Sequence, residues 1–188
     1  MTAESITPRL NQIEARETSI PGLIEFNLPV HGDARGWFKA NWQRDKFIEA
    51  GVPRGFKPVQ NNISYNRYVG VTRGIHAEPW NKYISVAYGK VFDAIVDLRD
   101  KNFGRLETFE LTPESAIFVP KGCGNSFQTL RANSIYAYLV DDIWRPGLTY
   151  PAIALDDPDL RIRWPIKLEK ATVSDKDKAN LTIKKLTL

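Results

Sequence analysis

The chain has 188 residues, 43% hydrophobic and 11% aromatic, enough to build one domain with a sizeable core. Its one cysteine, Cys123, rules out a disulfide framework or a multi-cysteine zinc site, and two histidines, His31 and His76, leave little for an imidazole-rich metal centre. The formal charge of +4 comes from 26 basic and 22 acidic residues interleaved without a like-charge block, no stretch is apolar enough to span a bilayer, and the first residues carry no apolar leader, so a cytoplasmic protein with no nucleic-acid or membrane partner is expected.

In chain order, short apolar runs separated by turn residues predict an all-β protein. Strands are expected over Leu23–Val30, Trp37–Trp42, Val59–Tyr65, Val69–Ala77 and Lys82–Tyr88. The series continues with Lys90–Leu98, Arg105–Leu111, Ala116–Val119, Asn125–Leu130 and Ser134–Val140. One helix is expected over Gln43–Ala50, stopped by Gly51 and Pro53, and a short second one over Ser174–Lys178. Pro-Val-His-Gly-Asp, Glu-Pro-Trp-Asn and Tyr-Gly-Lys read as turns between strands. Strand starts recur at about eight to twelve residues, which favours a double-sheet jelly roll open to one ligand over βαβ units. The whole of 1–188 reads as a single domain, with an N-terminal arm over about 1–30 and a C-terminal tail over about 166–188 packing on the barrel.

His76 lies in VTRGIHAEPWNKYISV, where an imidazole is either a satisfied core residue or a functional one. Arg73 and Lys82 favour the second reading, because two cations beside one imidazole need an anionic ligand or a developing oxyanion as partner. Strict alternation puts Thr72, Gly74 and His76 on one strand face and turns Arg73 away, unless Gly74 permits a bulge. Tyr136 and Tyr138 share a face, as aromatic core or as a phenol donor that stays protonated at neutral pH. Asp177, in ATVSDKDKAN, is either the partner of Ser174 in a capping box or a carboxylate brought back to orient His76. Cys123 has no histidine near it in sequence and reads as structural. The chain contains no P-loop and no G-x-G-x-x-G.

Taken together, these segments resemble the dTDP-4-dehydrorhamnose 3,5-epimerase family of the cupin superfamily. The resemblance runs from Gly32-Asp33-Ala34-Arg35-Gly36-Trp37-Phe38 through Val59-Gln60-Asn61-Asn62-Ile63-Ser64 and Arg73-Gly74-Ile75-His76 to Lys82. It continues through Val91–Arg99, Phe118–Gly122, Asp156–Leu160 with Trp164-Pro165, and Ser174-Asp175-Lys176-Asp177. It implies a cupin jelly roll, a double-stranded β-helix with a few short helices. It also implies epimerisation of dTDP-4-dehydro-6-deoxy-D-glucose at C3 and C5 to dTDP-4-dehydro-L-rhamnose, a step of dTDP-L-rhamnose biosynthesis. Both carbons flank the ketone, so the chemistry is proton removal to an enolate and return of a proton on the other face, with no cofactor and no metal. By the same resemblance His76 is the base, Asp177 fixes its tautomer, Tyr138 is the acid, and Lys82 offsets the charge on O4. Substrate contacts are implied for Arg35, Phe38, Gln60, Asn62, Arg73, Lys82, Asn125 and Trp144. A homodimer, whose partner strand completes the site, is implied too.

Three positions depart from the family pattern. Asn125 stands where G-x-x-H-G-F has a second histidine, Ala40 where a glutamate follows the arginine motif, and Trp144 where a tyrosine is frequent. They bear on which sugar is bound and on whether both carbons invert. A mono-epimerase acting on C3 or C5 of a related dTDP-4-keto-6-deoxyhexose and a non-catalytic sugar-binding cupin are the other readings.

Overall fold

The computed structural model describes residues 12–186; the first eleven residues of the expected N-terminal arm and the last two of the tail lie outside them. Strands β1 (Glu14–Glu17), β2 (Ile24–Asn27), β3 (His31–Asp33) and β4 (Gly36–Phe38) precede helix α1 (Arg44–Glu49). Then follow β5 (Gln60–Asn66), β6 (Thr72–His76), β7 (Lys82–Tyr88), β8 (Val91–Asp97) and β9 (Leu106–Leu111). The barrel closes with β10 (Ser115–Val119), β11 (Cys123–Thr129) and β12 (Ser134–Val140), and the tail carries helix α2 (Asp175–Lys178).

Two antiparallel sheets face each other as a cupin-like jelly roll. The larger has the order β1-β2-β10-β7-β12-β5 and the smaller β6-β11-β8-β9, while β3 and β4 form a separate hairpin. Alternation explains the layering. On β10, Ile117 and Val119 join Ile84 and Val86 of β7 and Val91 and Ile95 of β8 in the core between the sheets. The neighbours Ala116 and Phe118 point the other way, onto Phe47, Val52 and Phe56 in and after α1. A strand sandwiched like this buries both faces, which is why all five residues of β10 are buried. Outside the smaller sheet, Ile75 and Val96 are covered by Ile153, Leu155 and Leu160 of the segment after β12 and by Ile183 of the tail. That segment and the tail therefore close one sheet and α1 the other. Among the described residues no helix is long and apolar enough to cross a membrane.

Most strand expectations agree with these bounds, and Lys82–Tyr88 and Ser134–Val140 agree at both ends. Two strands differ. β1 (Glu-Ala-Arg-Glu) is exposed throughout and offers no apolar alternation to read. His31, Gly32 and Asp33, expected in a turn, form β3, and His31 pairs with Phe38 across the hairpin. The expected Trp37–Trp42 strand shortens to β4 because a three-residue exposed hairpin buries nothing that would extend it.

Candidate active site

Between the two sheets lies a cavity of about 160 Å³. Ser64, Lys82, Tyr136 and Tyr138 line it from the larger sheet, and Arg73, His76, Asn125 and Phe127 from the smaller. Glu78, in the turn after β6, completes the wall.

Arg73 and His76 share that wall because β6 bulges. Between the pairs His76↔Asn125 and Arg73↔Phe127, β6 advances three residues while β11 advances two. The extra residue turns a spacing that alternation would split between faces into one that places both side chains on the cavity. Gly74 makes this possible. Its φ is +121°, and a Cβ there would stand 2.5 Å from Ser126 Cβ and 2.8 Å from the Asn125 carbonyl oxygen.

Both readings of Asp177 hold at once. Its backbone N–H donates to Ser174 Oγ at 3.1 Å, capping α2. Its carboxylate turns away from the cap and meets His76 Nε2 at 2.8 Å, accepting also from the Gly74 N–H at 3.4 Å. Burial alone would raise this carboxyl, but the hydrogen bond and charge of His76, with the Gly74 and Ser174 contacts, hold it below the ordinary carboxylate range. An ionised Asp177 can only accept, so the His76 proton sits on Nε2 and the lone pair of Nδ1 is free to take a proton.

Lys82 is 3% exposed. Its ammonium donates to Glu78 Oε2 at 2.5 Å and, by a short bond, to Asn125 Oδ1. Burial pushes Glu78 up, but the Lys82 charge and hydrogen bond, helped by His76, leave it below its usual value, so the pair is ionic. Behind it, Asn125 Nδ2 donates to Tyr136 Oη at 3.3 Å and the Tyr136 hydroxyl donates to Asp93 Oδ2 at 2.7 Å. Asp93 is wholly buried, and its other oxygen has no partner among the described residues. Burial lifts its carboxyl to about 7, against the opposing hydrogen bond from Tyr136 and the charge of Lys82. A raised carboxyl favours the fold while it is uncharged; that contribution is complete below about pH 3.8 and is lost as pH rises through about 7. Asp93→Asn is therefore expected to gain stability over the parent between about pH 5 and pH 8, by on the order of a few kcal/mol, in urea unfolding at the two pH values. A pH-independent difference would contradict the assignment.

Tyr138 faces the cavity from β12 and pairs with Asn62 of β5. Burial raises its phenol first and the Glu78 charge second, with Arg73 opposing, so it is protonated at neutral pH. The inward residues of β5 are all polar: Gln60, Asn62, Ser64 and Asn66. Gln60 Nε2 donates to Asn62 Oδ1 at 2.6 Å, and Gln60 Oε1 accepts from the Trp144 N–H at 3.1 Å, so three expected substrate contacts gather at one end of this strand. Arg73 Nε donates to Asn66 Oδ1 at 3.0 Å from the other end.

Arg35 and Phe38 stand apart. They sit on the β3–β4 hairpin, outside the residues that line the cavity, with Arg35 bonded to Asp33 and Phe38 70% exposed. His31 is exposed on the same hairpin. The cavity also holds residues that sequence reasoning passed over or left in the core: Glu78, Ser64, Phe127, Tyr136 and, behind it, Asp93. Glu78 was hidden in a turn-like Glu-Pro-Trp-Asn, though its spacing of four from Lys82 was a usable signal. Cys123 is free and buried, and burial followed by the Asp97 charge raises its thiol to about 12, so it is inert.

The family model for dTDP-4-dehydrorhamnose 3,5-epimerase matches residues 17–185. A Streptococcus pyogenes protein named as an RmlC homolog is 46% identical over 166 residues, covering 85% of this chain and 83% of that protein. The solved structure of RmlC from Streptococcus suis in complex with dTDP-D-xylose superposes with a TM-score of 0.89 at 43% identity, covering 94% of each chain. RmlC from Legionella pneumophila, described as a dTDP-6-deoxy-D-glucose-3,5-epimerase and solved with dTDP-4-keto-L-rhamnose, superposes with a TM-score of 0.85 at 30% identity, over 94% of this chain and 95% of that one.

Proposed function

Because this chain belongs to the dTDP-4-dehydrorhamnose 3,5-epimerase family, we infer its reaction and assign it to the cavity between the sheets. The protein is an isomerase of dTDP-L-rhamnose biosynthesis that inverts C3 and C5 of dTDP-4-dehydro-6-deoxy-D-glucose to give dTDP-4-dehydro-L-rhamnose. His76 Nδ1 takes the proton from a carbon beside the ketone. The C–H electron pair moves into the C3–C4 or C4–C5 bond and the carbonyl pair onto O4, where the Lys82 ammonium offsets it. Tyr138 gives its proton to the opposite face, and solvent restores the imidazole and the phenol. The observation that carries this reading is the meeting, in one cavity, of an imidazole whose tautomer Asp177 sets and a protonated phenol from the facing sheet. Arg73, Gln60, Asn62, Asn125 and Trp144 are assigned to the nucleotide sugar, with a guanidinium fork suited to diphosphate oxygens.

The test is proton NMR of the 4-keto sugar turned over in D₂O. Deuterium is expected at both C3 and C5. Label at one carbon alone would make the protein a mono-epimerase, and binding without any label would make it a sugar-binding cupin.

The protein is further proposed to be a homodimer. Ile63 and Tyr65 are exposed on the outer side of the edge strand β5, Val59 just before it, and Trp37 and Phe38 on the free hairpin. Apolar surface of this kind at an unpaired edge is what a self-interface covers, and it would let Arg35 and Phe38 serve the site of the other protomer. Sedimentation should give twice the chain mass; a monomer would refute it. A cytoplasmic location belongs to the same reading, in keeping with the reduced, buried Cys123.

A further inference from the structure

The hydrogen bonds from Lys82 to Asp93 all run in one direction. Lys82 gives a proton to Asn125 Oδ1, Asn125 Nδ2 gives one to Tyr136 Oη, and Tyr136 gives its own to Asp93 Oδ2. Each link dictates the next. Asp93 Oδ2 accepts whether the other oxygen carries a proton or a charge, so the Tyr136 proton is committed to it. The phenol oxygen can then only accept, and it selects the amino side of the Asn125 carboxamide. The carbonyl side is left facing Lys82. Turned by 180°, the same carboxamide would set two donors against each other at the ammonium.

Counting donors shows what this achieves. A lysine ammonium has three, and among the described residues Glu78 and Asn125 take two, leaving one for whatever occupies the cavity. Two fixed acceptors define the direction of the third N–H. The far end of the chain is rigid, because the Tyr136 ring stacks on Phe127 at 4.0 Å with 17° between planes. A carboxamide cannot take up and pass on a proton as an imidazole does, so the chain orients Lys82 and does not feed it.

We propose that Tyr136, anchored on Asp93, is a positioning residue that holds the Asn125 carboxamide oxygen towards Lys82 and so aims the ammonium at the substrate O4. The inference rests on the reading of Lys82 as the counter-charge of the enolate. It also accounts for Asn125 at a position where the family pattern has a histidine: an amide suffices there because a phenol fixes which way round it stands.

Tyr136→Phe deletes the hydroxyl and keeps the stacking ring. Its kcat is expected to fall about 10- to 100-fold, the scale of a misaimed group, with KM within about twofold. Since Tyr136 acts through Asn125, Asn125→Ala combined with Tyr136→Phe should be no slower than Asn125→Ala alone. A kcat within about twofold of the parent, or a double variant slower by the product of the two effects, would overturn the proposal. A readout free of turnover separates this from the reaction itself. The Asn125 carboxamide protons of ¹⁵N-labelled protein should exchange slowly with water in the parent and quickly in Tyr136→Phe. Free exchange in the parent overturns the proposal whatever the variants do, so an unstable variant does not shield it. A parent that fails to turn over the keto sugar defeats the assigned reaction, while slow exchange lost in Tyr136→Phe still upholds the orientation of Asn125.

Discussion

His76→Ala is expected to lower kcat by about 10²–10⁴ while the affinity for the nucleotide sugar changes by no more than a few-fold. The imidazole makes one strong contact in the protein, to Asp177, and its ring is partly open to the cavity, so its removal takes away a proton acceptor and little packing. Asp177→Asn should reach a similar loss by another route. A carboxylate must accept from Nε2, but a carboxamide can turn its N–H towards the ring and shift the imidazole proton to Nδ1, the position that must be empty. Both variants should also stop the exchange of the C3 and C5 hydrogens with solvent. Exchange at the parental rate in either one would remove His76 from the role of base.

Tyr138→Phe should separate two events that His76→Ala stops together. Inverted product is expected to fall by about 10²–10⁴, because no acid faces the second side of the sugar. Proton removal should persist, since His76, Asp177 and Lys82 do not depend on the phenol. In D₂O the substrate should therefore take up deuterium with its configuration retained, returned by the imidazole that removed the proton. NMR of the recovered sugar reads both quantities. Loss of exchange in step with inversion would mean that Tyr138 acts before or during proton removal.

Much of the barrel was legible because its strands obey a simple rule, inward and outward residues in alternation with turns between them. Ser134–Val140 and Lys82–Tyr88 could be bounded to the residue. β1 and β3 could not, because four exposed residues and a polar His-Gly-Asp form strands through pairing alone, without an apolar face to betray them. The site was legible where chemistry demands unusual company, as with Arg73, His76 and Lys82 close together in sequence. It was legible but undecided where a residue has two uses, because the sequence offered both readings as alternatives. Asp177 is both part of a helix cap and the partner of an imidazole, and Tyr136 is both stacked core and hydrogen-bond relay. Asp93 interrupts the apolar run of β8. Only the facing sheet, which brings Tyr136 to it from 43 residues away, gives that carboxyl a purpose. Arg35 and Phe38 were placed by motif alone, and they stand on the β3–β4 hairpin, outside the residues that line the cavity.

The bulge at Gly74 acts as a phase slip in a two-beat pattern. A plain strand can show a wall only every second residue, so an arginine and a histidine three apart would serve two different surfaces. One inserted beat merges them, and an arginine and a histidine come to line the same cavity from a single strand. It follows that removing one residue at Gly74 or Ile75 would leave Arg73 and His76 two apart and still on one wall, whereas a side chain at Gly74, which would run into Ser126 and the Asn125 carbonyl, is expected to break the bulge and part them.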